Sequence, residues 1–481
     1  MQISEYVTPS SVFAVFAALM AVVVLLERRS PTKTVAWLLV LAFLPFVGFV
    51  LYILFGRNLR KKRWVRGKGP IDYSVVEDVV ERYIDSVLSD KTVSAVLGTK
   101  DRLMYLLIQS ADAPLTVNNR LRVLKDAHEK YPVLFEMIEG AVDHIHLEYY
   151  IIRDDAVGRR LVNLLVKKAR EGVEVRLLFD AVGSSGFSRK HCRQLEQAGV
   201  QVGVFLPVWV PFLNSRVNYR NHRKLAVIDG TKSLVGGINI GEEYLGKSLQ
   251  MGYWRDTHLL IEGDGVNSLQ LIFLMDWYFA TKENFSMEKY FFKNEVLPDN
   301  HYVQIAASGP DTHWESIHQM YFSIISTAED SLYITSPYFI PDDSIMMALK
   351  TAALSGVDVR LIIPGKPDYK VIHWASHSYL EEVMEAGVRV YQYKKGFVHA
   401  KVLISDGVIA SVGTANMDPR SFHHNFEVNA FVYSREVVED IEYQFFQDIS
   451  DSEELILELY RRKPLPRKLG ESTARLLSPI L

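Results

Sequence analysis

Two stretches of this chain carry the same reactive residues at the same spacing. The first runs His222-Arg-Lys224-Leu-Ala-Val-Ile-Asp229 and leads, after six residues, to Gly236-Gly-Ile-Asn239. The second runs His399-Ala-Lys401-Val-Leu-Ile-Ser-Asp406 and leads, after six residues, to Gly413-Thr-Ala-Asn416. Brought to one point, two imidazoles, two ammonium groups and two Asn side chains make a donor-rich, positively charged cluster with few acceptors. Such a cluster binds an anion, and phosphate fits best. Lys neutralises its oxygens as a point charge, and Asn239 and Asn416 add hydrogen bonds as candidate phosphate binders. One neutral His can attack phosphorus while the opposite His, protonated, gives its proton to the leaving alkoxide. That division of labour requires environments that push the two His pKa values apart. Two His with two Asp could also hold zinc. A Lys on the face of each His, however, puts positive charge where the cation would sit, so no metal is expected.

The elements that position these residues follow from local pattern. Each apolar run (residues 224–228 and 401–405) ends in Asp-Gly and reads as a strand entering a turn. Residues i and i+2 of a strand share a face, so His222 sits with Lys224 and His399 with Lys401. Asp229 and Asp406 stand at an odd offset and point the other way. They complete the candidate catalytic set of six, with a supporting role at the turn.

Upstream of each motif an alternation of helix and strand occurs twice. Residues 133–142 and 158–171 read as helices, and 145–152 and 173–179 as strands. In the second half, 317–328 and 345–354 read as helices, and 331–335 and 357–363 as strands. A further strand is expected around 121–124. Even the junctions match, Gly172-Val-Glu-Val-Arg against Gly356-Val-Asp-Val-Arg. The fold class is therefore α/β, with two tandem domains of parallel or mixed sheet.

The chain has 481 residues, a formal charge of -3 and a single cysteine, Cys192. The charge gives no argument for nucleic acid as a partner, and one cysteine excludes a disulfide framework and a Cys-based zinc site. Two apolar runs open the sequence. Residues 11–26 are uncharged and reach spanning length with 6–10 added, and 35–55 are 21 residues without a charge. That is enough to cross about 30 Å of hydrocarbon. Trp37 and Tyr52 sit near the ends of the second run, as interfacial anchors do. The first run lacks a basic n-region and is followed by Glu27-Arg-Arg29, unlike a cleaved signal peptide.

A membrane hairpin is expected over 1–56, with helices about 7–26 and 35–55. A basic and helical connector follows over 57–113, then domains over 114–290 and 291–481, the second with a C-terminal tail. Arg57, Arg60, Lys61, Lys62, Arg63, Arg66 and Lys68 place the catalytic domains in the cytoplasm by the positive-inside rule. Arg28, Arg29 and Lys33 in the connecting loop oppose it. Pro45 and Gly48 leave open a re-entrant second segment that never fully crosses.

Less specific candidates lie near the motifs. Asn214, Arg216, Asn218, Arg220 and Asn221 precede the first His, and Tyr391, Tyr393, Lys394 and Lys395 the second. Each set suits an anionic ligand or an ordinary solvated loop. The apolar stretch 202–213 is either core strand and turn or a loop toward lipid. The tail from Arg461 either packs on the domains or lies on the membrane.

The doubled H-x-K-x4-D resembles the phospholipase D superfamily. The resemblance implies a phosphohistidine intermediate, no metal or other cofactor, and one site at the junction of two similar domains. It leaves the nucleophile open between His222 and His399, with His222 taken first. In that superfamily an acid downstream of each motif hydrogen-bonds a catalytic His. Asp256 (in Tyr-Trp-Arg-Asp-Thr-His) and Glu427 (in Asn-Phe-Glu-Val-Asn) are the candidates, one per half. With Ser336-Pro-Tyr-Phe-Ile-Pro-Asp, Gly-Thr-Ala-Asn-Met-Asp-Pro-Arg-Ser-Phe and the apolar N-terminus, essentially the whole chain is similar to the bacterial cardiolipin synthases of that superfamily. What this implies is a multi-pass cell-membrane transferase whose partners are phosphatidylglycerol and anionic membrane lipids. A membrane-bound hydrolase with the same catalytic residues and an inactive membrane scaffold are the rival readings.

Overall fold

The computed structural model describes residues 18–19, 21–26, 31–52, 100–207, 218–248, 250–283, 288–291 and 296–480. The chain divides into two compact units, residues 1–69 with 208–218, and residues 70–207 with 219–481.

In the smaller unit the expected single helix over 35–55 is two helices, α1 (Pro31–Phe43) and α2 (Pro45–Leu51). The break falls at Leu44, with φ -133° and ψ 62°. A residue before proline is disfavoured in the helical region, and Pro45 has no N–H to continue the ladder. The chain folds back there. Trp37 and Tyr52 meet edge to face with ring centroids 5.3 Å apart, whereas one straight helix would hold them about 22 Å apart. Val24, Leu41 and Tyr52 form a small apolar cluster. No described helix is long and apolar enough to cross a membrane. Most of the first apolar run, the basic cluster 57–68 and the connector up to residue 99 lie outside the described residues.

The larger unit is built on two sheets. Before them comes α3 (Asp101–Ala111). The first half contributes β1 (Leu115–Thr116), β2 (Asn119–Asp126), α4 (Ala127–Gly140), β3 (His144–Tyr149), α5 (Ala156–Arg170), β4 (Glu174–Asp180), α6 (Arg189–Gln197), β5 (Gln201–Phe205), β6 (Lys224–Ile228), β7 (Lys232–Gly236), β8 (Tyr253–Gly263) and α7 (Gly265–Thr281). The second contributes β9 (Val303–Ser308), α8 (Ser316–Ser326), β10 (Ser331–Thr335), α9 (Asp343–Leu354), β11 (Asp358–Pro364), α10 (Lys370–Glu385), β12 (Arg389–Tyr393), β13 (Gly396–Val398), β14 (Val402–Ser405), β15 (Ile409–Gly413), α11 (Pro419–His423), β16 (Glu427–Val432), α12 (Arg435–Ser450), β17 (Ser452–Glu454), α13 (Leu457–Arg461) and α14 (Leu465–Leu476).

The sheet orders are β13-β8-β7-β6-β3-β4-β5, with β2 also on β8, and β1-β9-β16-β15-β14-β10-β11-β12-β17. In each, three parallel strands (β3/β4/β5 and β10/β11/β12) continue into antiparallel strands that carry the motif. β3 and β10 stand mid-sheet and are almost wholly buried, one face apolar (Ile145 and Leu147, Leu332 and Ile334) and the other carrying buried polar groups such as His144, His146, Glu148 and Thr335.

The halves exchange edge strands. β1 pairs with β9 of the second sheet, and β13 runs parallel to β8 in the first, Gly396–Val398 against Tyr253–Arg255. Gly396 permits this approach, since a Cβ there would lie 1.9 Å from the Tyr253 carbonyl oxygen. The stretch 100–113, expected as connector, instead joins the second core. Leu103, Met104, Leu107 and Ile108 of α3 pack with Met320, Tyr321 and Ile324 of α8. The tail packs on its own half. Arg461 pairs with Glu381 and Glu385, and Arg475 with Glu382 of α10. Of the apolar stretch 202–213, residues 202–205 are strand and those beyond 207 lie outside the described residues.

Candidate active site

The two histidines lie just before β6 and β14, where the chain leaves one half and runs beside the other. His222 N–H donates to the Phe426 carbonyl at 2.9 Å, and His399 N–H to that of Arg255 at 2.7 Å. In each case the next residue on the partner strand is an acid, which crosses the pairing. His222 Nδ1 meets Glu427 Oε2 at 2.9 Å and Oε1 at 3.1 Å. His399 Nδ1 meets Asp256 Oδ2 at 2.8 Å. The orienters expected one per half therefore each serve the other half's histidine. A carboxylate only accepts, so Nδ1 carries the proton and each neutral ring keeps its lone pair on Nε2.

The lysines share those faces, and each Nζ donates to the carbonyl of its own motif histidine. Burial pushes His222 down to about 4, with Glu427 opposing and Lys224 assisting. His399 is also pushed down to about 4, by burial first and then by Lys401, with Asp256 opposing. Both imidazoles are thus lowered for the same first reason, burial, with a lysine beside each adding to it. Burial likewise lowers Lys224 to about 7 and Lys401 to about 8. Each lysine also feels Glu427 and Asp256. The four groups form one electrostatic cluster.

The motif aspartates do not enter it. At Asp229 the backbone is left-handed, φ 51°, and the carboxylate accepts from the N–H groups of Val142, Asp143 and His144 at 2.8–2.9 Å. Asp406, φ 55°, accepts from Glu329, Asp330 and Ser331 and pairs with Lys100 at 2.7 Å. Both pin the hairpin turn to the start of a central strand. This is the supporting turn role that their odd offset from the histidines implies.

Asn239 is tied into the scaffold through its Oδ1 and one of its two amide N–H groups. Its Oδ1 accepts from Ile151 N–H at 3.0 Å and its Nδ2 donates to Tyr244 Oη at 2.9 Å. Asn416 is buried, its N–H donating to Ser421 Oγ at 3.1 Å. The less specific candidates are largely committed elsewhere. Arg220 pairs with Asp180 at 3.1 Å, and Asn221 donates to Glu148. Lys394 pairs with Glu453 and Lys395 with Asp451. Tyr391 and Tyr393 are buried, and Asn214 and Arg216 lie outside the described residues.

Several supporting residues carry no signal a single sequence exposes. Thr414 Oγ1 and Asn425 Nδ2 both donate to Glu427, the first at 2.5 Å and the second at 3.1 Å. Arg223, between the motif His and Lys, is buried, pairs with Asp276 and donates to the Glu427 carbonyl at 3.1 Å. Tyr150 stands edge-on to His222 with centroids 5.1 Å apart. Gly237 leaves room for the other acid, since a Cβ there would lie 2.1 Å from Asp256 Oδ1. The offset of Thr414 within Gly-Thr-Ala-Asn and of Asn425 before Glu427 is the nearest thing to a signal.

A family model described as "Cardiolipin synthase, PLD-like domain" matches residues 134–262 and again 321–449, and "Phospholipase_D-nuclease N-terminal" matches 14–57. The chain belongs to the cardiolipin synthase family. A cardiolipin synthase of Halalkalibacterium halodurans is 44% identical over 98% of this chain and 93% of its own length. One from Listeria welshimeri is 46% identical over 96% of each. The crystal structure of a phosphatidylserine synthase from Haemophilus influenzae superposes with a TM-score of 0.62 over 79% of this chain and all of that one. At 15% identity it speaks for the fold alone. Family membership makes this chain an enzyme, and its twin domains fit phosphatidyl transfer.

Proposed function

We propose that this cardiolipin synthase-family chain joins two phosphatidylglycerol molecules into cardiolipin and glycerol through a phosphohistidine. The observation that carries the proposal is the crossed pair, each motif histidine held through Nδ1 by the other half's acid and flanked by a buried lysine. One Nε2 forms a bond to phosphorus as the phosphorus–oxygen bond to glycerol breaks. The opposite imidazolium gives its Nε2 proton to the departing alkoxide. The second lipid's hydroxyl then returns a proton to that imidazole, attacks phosphorus and breaks the phosphorus–nitrogen bond.

Both histidines rest neutral at pH 7, so the acid must gain its proton on substrate binding. A phosphodiester anion stabilises the imidazolium, and Lys224 and Lys401, near neutrality themselves, are adjacent proton sources. Water competes for the intermediate, and positioning of the lipid alcohol favours transfer.

Membrane attachment through the apolar N-terminus belongs to the same reading. It is supported by the uncharged runs and the match over 14–57. The fold-back at Leu44 favours a re-entrant second segment, and the basic cluster favours cytoplasmic catalytic domains.

The deciding experiment incubates the detergent-solubilised full chain with labelled phosphatidylglycerol and separates the products. Cardiolipin with equimolar glycerol is expected. Phosphatidic acid alone would overturn the proposal in favour of a hydrolase.

A further inference from the structure

Away from the catalytic pair, one group of three metal-competent side chains converges among the described residues, Glu315, His318 and His423, with ligand atoms all within 4.8 Å of one another. Glu315 and His318 sit at the start of α8, and His423 closes α11. His318 Nδ1 is 3.6 Å from Glu315 Oε2, and His423 Nδ1 is 3.1 Å from Glu315 Oε1. With bonds of about 2.1 Å, the edge of a tetrahedral zinc site is about 3.4 Å. The two separations, one to each oxygen of the Glu315 carboxylate, bracket that value.

A second observation points the same way. The far nitrogen of His318, Nε2, faces Asp342 Oδ2 at 3.0 Å, and the ring stacks on Phe422 with centroids 4.6 Å apart. A carboxylate behind a ligating imidazole fixes its tautomer and raises its basicity, the usual support of a metal-bound histidine. All four polar groups are partly solvent-exposed, so an ion has access.

We propose that Glu315, His318 and His423 bind a zinc-class divalent ion, with Asp342 orienting His318 and a fourth position left to water. Two imidazoles and one carboxylate suit Zn2+ or Co2+ and not Mg2+ or Ca2+, which need more oxygen ligands. The ion would clip the first turn of α8 to α11. That short helix lies between Asn416 and Glu427, so the clip bears on the segment that carries the acid behind His222. Without the ion, the same residues form an ion-pair cluster.

The test titrates chelator-treated, full-length protein in detergent with Co2+ and then Zn2+. One Co2+ per chain is expected, with the strong visible absorption of a tetrahedral site, displaced by Zn2+. His318→Asn and His423→Gln should each weaken binding by more than about 100-fold, and Asp342→Asn by about 10-fold. His423 is partly exposed, and its substitution leaves the core untouched. Absence of stoichiometric binding overturns the proposal, as does binding unchanged in both histidine variants. Binding lost instead in His222→Ala or His399→Ala would assign the ion to the catalytic pair and overturn it equally.

Discussion

The two halves of the site are built to one plan and held to different tolerances. His399 follows β13, a three-residue parallel ladder on β8, and its acid Asp256 is wedged against Gly237. His222 follows a single bridge, Asn221 to Phe426, and its acid Glu427 is held by two side-chain donors, Thr414 and Asn425. One half fixes its histidine with backbone and close packing, the other with a side-chain network. Duplication has preserved the reactive atoms and let their supports diverge.

The largest test separates the chemical roles. His222→Ala and His399→Ala are each expected to lower cardiolipin synthesis by at least about 10³-fold. With a donor lipid whose leaving group is a phenolate, the variant lacking the general acid should recover its first step. The variant lacking the nucleophile should not. Recovery in both or neither would break the assignment of distinct roles.

Next come the acids. Glu427→Gln and Asp256→Asn should each cost about 10–100-fold in kcat by freeing the ring tautomer. The two supports predict a further contrast. Glu427→Asp is expected to retain more activity than Asp256→Glu, since a longer side chain at 256 must press into Gly237. Equal losses would remove the distinction drawn between the halves.

Acid stability gives a third measure. Each histidine is held at about 4 against an ordinary 6.5, so the unfolded chain binds more protons between those values. Stability present above pH 6.5 is therefore lost as pH falls through about 4, by about 3 kcal/mol per histidine. Denaturation at pH 7 and pH 4.5 should show less pH dependence in His222→Ala and His399→Ala than in the parent. On the alkaline side, kcat/KM is expected to decline as Lys224 and Lys401 deprotonate near 7 and 8.

The smallest effects concern the turn aspartates. Asp229→Asn should cost about 1–2 kcal/mol, and Asp406→Asn about 3 kcal/mol because Lys100 also loses its partner. Both variants should keep kcat in the folded fraction. A selective loss of kcat would return these residues to the chemistry.

Periodicity made the scaffold readable. Residues 331–335 read as a strand and are one, and the motif strands and most flanking helices fall within a few residues of their expected bounds, but α4 starts at Ala127, six residues before the expected 133, and runs through Pro132. Alternation is a local property, and so is the left-handed Asp-Gly turn that fixes Asp229 and Asp406. What escaped is non-local. Nothing near Asp256 says that its histidine lies in the other half, and nothing in α3 says that its apolar face belongs to a core built from α8. Asn239 has the right chemistry for phosphate, but its hydrogen bonds go to Ile151 and Tyr244, a matter of three-dimensional neighbours.

The exchanged edge strands bear on how the protein is made. A ribosome releases the first half well before β13, so the start of β8 at Tyr253–Arg255, beyond most of the β2 pairing, stays uncovered during synthesis, as does the apolar face of α3. Each half thus lacks one short edge pairing until the other is made, and a break in the chain between them is expected to leave both edges exposed. The gene can be shortened or split only where both partners of each exchange remain together.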